Sequence, residues 1–354
     1  MNDNKKKSRV GFWIATSLAI FFFLCSVAFF SSLMGLLMIK GALSPHEEEG
    51  KTKKLAETLI EGTGTDKVLI IPVKGVITAQ SSMKLFQETQ SVVESVTQQL
   101  EQARDDNDVK AVILEINSPG GGITASDIIH KEILGFKEKT TKKIIVSMQD
   151  VAASGAYYIS AAADQIISHP TTVTGSIGVI MPLLNITDLV EKYGIKDTSV
   201  KSGDMKNIGS PLKKMSYAEK KVLLDIVDEM YTRFLNIIAD GRNMEIEDVR
   251  KLSDGRIYTG KQALENGLVD QLGYMDDAIT LAKEISGLEE AKIIKYKKKF
   301  DLAEIFAGSM DNLFGNRTIK IGINATATDN DFPRFMYLWT GYQQNYLFKW
   351  PAFN

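Results

Sequence analysis

Apolar residues fall along this chain in distinct patterns, each predicting a different element. Residues 10–39 are almost uninterruptedly apolar, about thirty residues where roughly twenty suffice to cross a hydrocarbon core. Residues 40–66 turn polar, carry a short helical stretch and end at Gly62-Thr63-Gly64, the pattern of a tether. Beyond them the pattern shortens. Val68-Leu69-Ile70-Ile71, Val112-Ile113-Leu114-Glu115-Ile116 and Ile144-Ile145-Val146-Ser147 are continuous apolar runs of the kind a buried strand shows. Between them, residues 83–104, about 125–136, and a stretch from near Ser154 to 163 carry helical spacing.

The order is strand, glycine turn (Ser118-Pro119-Gly120-Gly121-Gly122), helix, strand, small-residue turn (Ala152-Ala153-Ser154-Gly155-Ala156), helix. That rhythm predicts an α/β protein whose crossover units feed a mostly parallel sheet. Ile166-Ile167 and Gly178-Val179-Ile180 are further short apolar runs. The longest helical pattern, 216–240, places Val222, Leu223, Ile226, Met230, Phe234 and Ile237 at three- and four-residue steps. Glycine-punctuated pieces follow at 254–256 and 266–270, then a helix over 276–286. After Lys297-Lys298-Lys299 the pattern weakens, and the aromatic tail (Phe332, Phe335, Tyr337, Trp339, Tyr342) predicts no element. Each small-residue turn occurs once, so there is no internal repeat.

Charge fixes the expected orientation. Lys5, Lys6, Lys7 and Arg9 precede the apolar run, and Glu47-Glu48-Glu49 follow it. This places the amino terminus on the cytoplasmic side and the bulk of the chain outside. A cleaved signal peptide has a shorter apolar region, roughly 7–15 residues, and a small-x-small exit. Leu37-Met38-Ile39-Lys40 has no such exit, and Phe22-Phe23-Leu24 before Cys25 are too bulky for lipoprotein processing. The expectation is a single-pass protein of the cell membrane, held in lipid by residues 10–39, with segments 1–9 (basic, cytoplasmic) and 40–66 (tether) on either side. Composition removes other classes. A formal net charge of −2 over 354 residues gives no sign of a nucleic-acid surface. One cysteine, Cys25, permits neither a disulfide nor a CxxC site, and His46, His130 and His169 lack metal-ligand spacing. No metal and no cofactor is expected.

Ser154 is the obvious candidate nucleophile. A serine at a helix start is usually a cap, its hydroxyl satisfying an orphan amide. Against that, Ala153, Gly155 and Ala156 leave room for a substrate backbone, and a helix start favours a developing oxyanion. The glycine run 120–122 reads equally as a tight turn or as a loop exposing N–H groups to an oxyanion; it fits no nucleotide-binding fingerprint. A base is missing. His169, fifteen residues on and before Pro170, and mid-helix His130 both read as surface or satisfied histidines. The other route is a lysine held neutral, which for an ordinary lysine of pKa ~10.4 costs roughly 4.6 kcal/mol at pH 7 and requires burial or a cationic setting. Lys201 and Lys206, in VKSGDMKNIGSP at 200–211, are both candidates.

Taken together, SPGGGITAS (118–126), QDVAASGAYYISAAAD (149–164), HPTTVTGSIGVI (169–180), VKSGDMKNIGSP (200–211) and DGRIYTGKQALENGLVDQLG (254–273) resemble, in order, the signal peptide peptidases of the SppA type. These are membrane-anchored serine proteases of the ClpP/crotonase superfamily. The resemblance implies a ClpP/crotonase-like fold of repeated ββα crossover units over 67–290, with 291–354 a C-terminal extension. It implies Ser154 as nucleophile, Lys206 rather than Lys201 as general base, and Gly120, Gly121 and Gly155 at the oxyanion and substrate backbone. His169 matches a non-catalytic position, and Asn207 stands where family members typically carry Asp or Ser. The implied substrates are remnant signal peptides and other unfolded apolar segments. Some family members carry tandem copies; with a single copy here, the resemblance implies a homo-oligomeric ring in which Lys206 of one subunit serves Ser154 of the next. The rival readings are a non-catalytic, protease-like membrane scaffold and a crotonase-like acyl-CoA enzyme.

Overall fold

The structure, a computed structural model, describes residues 13, 16–18, 20–32, 35, 54–84, 87–298 and 336–338. The basic segment 1–9, most of the tether, the flanks of the expected span at 10–39, and Phe332, Phe335, Trp339 and Tyr342 lie outside those residues. Residues 20–32 are helical with exposed side chains and belong to a unit of their own. That run is about 20 Å long at 1.5 Å per residue. Among the described residues no helix is long and apolar enough to cross a membrane.

The second unit is built on a nine-stranded mixed sheet among the described residues. Its strands are β1 (Ala56–Glu61), β2 (Lys67–Lys74), β5 (Val109–Ser118), β7 (Lys143–Ala153), β8 (Gln165–Ser168), β9 (Val173–Gly175), β10 (Ile257–Thr259), β11 (Gln271–Leu272) and β12 (Lys292–Lys297). They lie in the order β1-β12-β2-β5-β7-β8-β11, with β9 also paired to β7 and β10 to β9. Parallel pairing runs from β12 through β11, while β1 and β10 join antiparallel. The continuous apolar runs follow from burial on both faces. Leu69, Ile71, Val112, Leu114, Ile144 and Val146 pack on one face. Val68, Ile70, Ala111, Ile113, Ile145 and Ile167 pack on the other, against Ala278, Ile279 and Ala282.

The helices are α1 (Val92–Asp105), α2 (Ile123–Lys139), α3 (Gly155–Ser160), α4 (Thr187–Lys192), α5 (Tyr217–Arg242), α6 (Ile246–Lys251), α7 (Gly260–Glu265) and α8 (Met275–Ile285). Local chemistry sets their starts. Ser91 with Glu94 and Ser216 with Glu219 form reciprocal capping boxes at α1 and α5. The Ser91 box also explains a departure from the sequence pattern. The helix expected over 83–104 begins only at Val92, and the residues before it form a small hairpin, β3 (Ser82–Lys84) with β4 (Gln87–Thr89). A second addition lies in the tether, whose described part carries a strand, β1, paired to β12. A short isolated helix pays its nucleation cost alone, whereas an edge strand gains a ready ladder. The sheet thus takes in residues on both sides of 67–290.

Helix α5 packs closely on the end of α3 at Gly241, where a Cβ would lie 2.1 Å from the carbonyl oxygen of Ala161, the residue that caps α3. Gly241→Ala forces the helices apart. It is expected to lower stability by at least about 1–3 kcal/mol, read as a fall in the urea midpoint.

Candidate active site

The site forms where β7 changes partners. Its residues 145–148 pair with β8, and its last residues, 151–153, pair with β9. Against β5 the register jumps from Ile116↔Met148 to Ser118↔Ala152, so Gln149, Asp150 and Val151 bulge opposite Asn117. The Asn117 side-chain amide donates to Asp150 Oδ2 at 3.0 Å and closes this jog. Ligand sites in α/β sheets favour such points at the carboxyl ends of strands.

Ser154 is the first residue beyond β7. Its backbone lies at φ 56°, ψ −116°, a conformation costly for a residue with a Cβ. Its N–H donates to Gly175 O at 2.7 Å, and its carbonyl accepts from Tyr158 N–H at 2.9 Å. The side chain makes no capping hydrogen bond. Ser154 Oγ is buried and has no hydrogen-bond partner among the described residues. The capping interpretation therefore fails at this serine. The hydroxyl is held by the backbone but used by none of the described residues. Helix α3 spans only Gly155–Ser160, so its dipole is a smaller contributor than the sequence suggests.

Gly120, Gly121 and Gly122 form a short strand, β6, rather than a tight turn. Ile77 N–H donates to Gly120 O at 2.8 Å, and Gly122 N–H donates to Ile77 O at 2.9 Å. The backbone groups of Gly121 alternate to the opposite edge. There β13 (Met336–Leu338) pairs antiparallel, in register Met336↔Gly122, Tyr337↔Gly121 and Leu338↔Gly120. On its other side β13 is held by Ile180: Met336 N–H donates to Ile180 O at 2.9 Å, and Ile180 N–H to Met336 O at 3.1 Å. The groove between β6 and Ile180 thus accepts an extended chain by backbone pairing, and β13 also lies against α3. The tail to which the sequence assigned no element supplies that strand.

Lys206 lies in a one-turn 3-10 helix, Asp204–Asn207, and is exposed. Residues 191–206 are exposed throughout. Its ammonium has no hydrogen bond or ion pair among the described residues, and it is not bonded to Ser154 within one chain. Lys201 braces the same turn, donating to Asn207 Oδ1 at 3.0 Å and Asp204 O at 3.3 Å. The segment is tied back to the fold by Ile186 N–H donating to Pro211 O and by the Lys213–Glu219 ion pair. Hydrogen bonds from Lys213 and from the Ser216 N–H hold the Glu219 carboxyl at about 2.

Neither described histidine bonds to Ser154. His169 Nδ1 lies 2.8 Å from Thr171 Oγ1, and its ring meets Tyr274 edge-on at 4.7 Å. His130 is buried edge-on against Tyr158 at 5.3 Å, and burial pushes its imidazole down to about 4. The sequence reading missed Ser176. It follows Gly175, which is paired with Ala153, so it stands next in register beside Ser154, and it too has a left-handed backbone, φ 49°. Its signal was a serine after glycine in TVTGSIG, which local pattern alone cannot tell from a turn.

Two family models match the chain: peptidase family S49 over residues 137–289 and Clp protease over 71–174. An Enterococcus faecium protein provisionally named a signal peptide peptidase SppA is 40% identical over 304 residues, covering 82% of this chain and 86% of that protein. Protease 4 of Haemophilus influenzae is 36% identical over 62% of this chain and 35% of its own length. The chloroplastic serine protease SPPA of Arabidopsis thaliana is 31% identical over 74% and 38%.

Gly121 tests the peptide groove. A Cβ there would lie 2.1 Å from Ile77 O, so Gly121→Ala must displace β6 from its neighbour. Peptidase activity is expected to fall at least about tenfold as the groove edge shifts, while circular dichroism stays native. In fold, strained serine turn and extended relatives alike, this chain belongs to peptidase family S49 and is a serine protease.

Proposed function

We propose that the protein is a membrane-anchored endopeptidase that cleaves remnant signal peptides and other unfolded apolar segments with Ser154 and Lys206. The observation that carries this reading is the buried, unpartnered Ser154 hydroxyl beside a groove that pairs with extended chain. Lys206 takes the Ser154 proton as Oγ attacks the peptide carbonyl. Amides of Gly120, Gly121 and Gly155 stabilise the oxyanion. The proton then passes to the leaving amine, and water resolves the acyl-enzyme.

The full exposure of 191–206 supports a homo-oligomeric ring in which each Lys206 serves the neighbouring Ser154. A neighbour covering that stretch would take Lys206 out of water, as a lysine base requires. Residues 10–39 serve as the anchor, amino terminus cytoplasmic and catalytic unit outside, which keeps the groove near the bilayer where apolar segments remain. Unfolded substrates suit a groove that binds through backbone groups, because most backbone groups of a folded chain are already paired.

A fluorophosphonate probe is expected to label Ser154, with Ser154→Ala and Lys206→Ala each lowering peptide hydrolysis by roughly 10⁴–10⁶. Mixing the two inactive chains should restore part of the activity; assembled mixtures that stay inactive refute sharing between subunits. Deleting residues 330–354 vacates the strand position beside β6. It is expected to lower KM for an extended peptide substrate, and an unchanged KM would show that β13 and substrate do not compete.

A further inference from the structure

We infer that Asp127 is the positioning residue of the nucleophile turn, holding Ser154 in its strained geometry through Tyr158 and locking α3 to the glycine strand and to α5. This rests on Ser154 being the nucleophile. A single carboxylate oxygen, Asp127 Oδ1, accepts from Tyr158 OH at 2.6 Å and from Arg233 Nη2 and Nε at 2.6 and 3.0 Å. Those donors come from different parts of the site. Asp127 sits in the first turns of α2, which begins at Ile123 immediately after β6. Tyr158 belongs to α3, and Arg233 to α5, the helix into which the Lys206 segment runs.

Tyr158 links the carboxyl side of the serine turn to Asp127. Its N–H reaches back to the Ser154 carbonyl at 2.9 Å, and its fully buried ring runs out to Asp127. The ring is wedged between His130 and Phe234, with centroids 5.3 and 5.1 Å away. A backbone in a sparsely populated region persists only when its surroundings over-determine it. On the amino side of Ser154 that restraint is the bond to Gly175 O; on the carboxyl side it is Tyr158. Burial opposes ionisation of Asp127, but Tyr158 and Arg233 outweigh it and hold the carboxyl below its usual range, so the charged acceptor persists at neutral pH.

A control lies on the same helix: Arg242 pairs with Asp270 at 2.6 Å, and Asp270 accepts from the Ile166 N–H, tying α5 to the sheet near the carboxyl end of α3 without touching Asp127 or the Ser154 carbonyl. The fluorophosphonate labelling rate, kcat and KM are compared in the full-length protein for Asp127→Ala, Tyr158→Phe, the double variant and Asp270→Asn. Asp127→Ala and Tyr158→Phe are each expected to slow labelling and kcat about tenfold to a hundredfold with KM unchanged, the scale of a small misplacement. The double variant should be no slower than the slower single, because both break one strut. Asp270→Asn should lower Tm without slowing labelling. Should Asp127→Ala fail to fold, Asp127→Asn and Tyr158→Phe carry the same comparison. Labelling of the Asp127 and Tyr158 variants at the wild-type rate overturns the inference. So does equal slowing by Asp270→Asn, or multiplicative losses in the double variant. Persistent labelling of Ser154→Ala overturns the catalytic assignment instead, so the two failures are separable.

Discussion

The backbone of Ser154 is the constraint on which the rest of the site depends. A residue with a Cβ at φ 56°, ψ −116° costs of order 1–3 kcal/mol, which the local sequence has no means to offset. The surrounding fold offsets it from two directions, through Gly175 O before the turn and Tyr158 after it. Each restraint belongs to an element distant in sequence or fixed by one. Strand β9 exists only because β7 abandons β8, and Tyr158 is fixed by the carboxylate on α2. The consequence is a hydroxyl that points away from the amides a cap would use. Strain that keeps a buried hydroxyl uncapped is what the proposed chemistry at Ser154 requires.

The glycine strand follows the same logic on a second surface. Ile77 occupies the space where a Cβ of residue 121 would sit, so only glycine lets the two backbones meet. With one edge spent on Ile77, the other is free to pair with chain, and Met336–Leu338 takes it up. Recognition through main-chain groups carries little side-chain information. That fits substrates defined by being extended rather than by one sequence.

Much of this was legible beforehand. The strands β2, β5 and β7 and helices α2, α5 and α8 followed from apolar period, because a sheet covered on both faces leaves unbroken apolar runs and an amphipathic helix leaves a stripe. The helix start at Val92 was in principle legible too, since Ser91 and Glu94 spell a capping box. The hairpin before it and the edge strand β1 were not, because their pairing partners are supplied by distant or weakly patterned chain. Ser154 and the glycine run stood out by composition, yet their roles did not. A serine before a helix and glycines after a strand have the same local appearance whether they cap and turn or react and bind.

By itself, then, the sequence determined the layer class, the absence of a histidine suitably placed in pattern, and the short list of hydroxyls and lysines from which chemistry could be drawn. Side-chain type and period are local quantities, so they can be read locally. Only the tertiary structure decided that Ser154 is strained and uncapped, that Ser176 stands beside it, that β6 pairs with the tail, and that Asp127 joins three helices. These depend on register between strands far apart in the chain and on hydrogen bonds such as Tyr158 to Asp127, thirty-one residues apart. No local pattern encodes which of several compatible partners the folded sheet brings within reach.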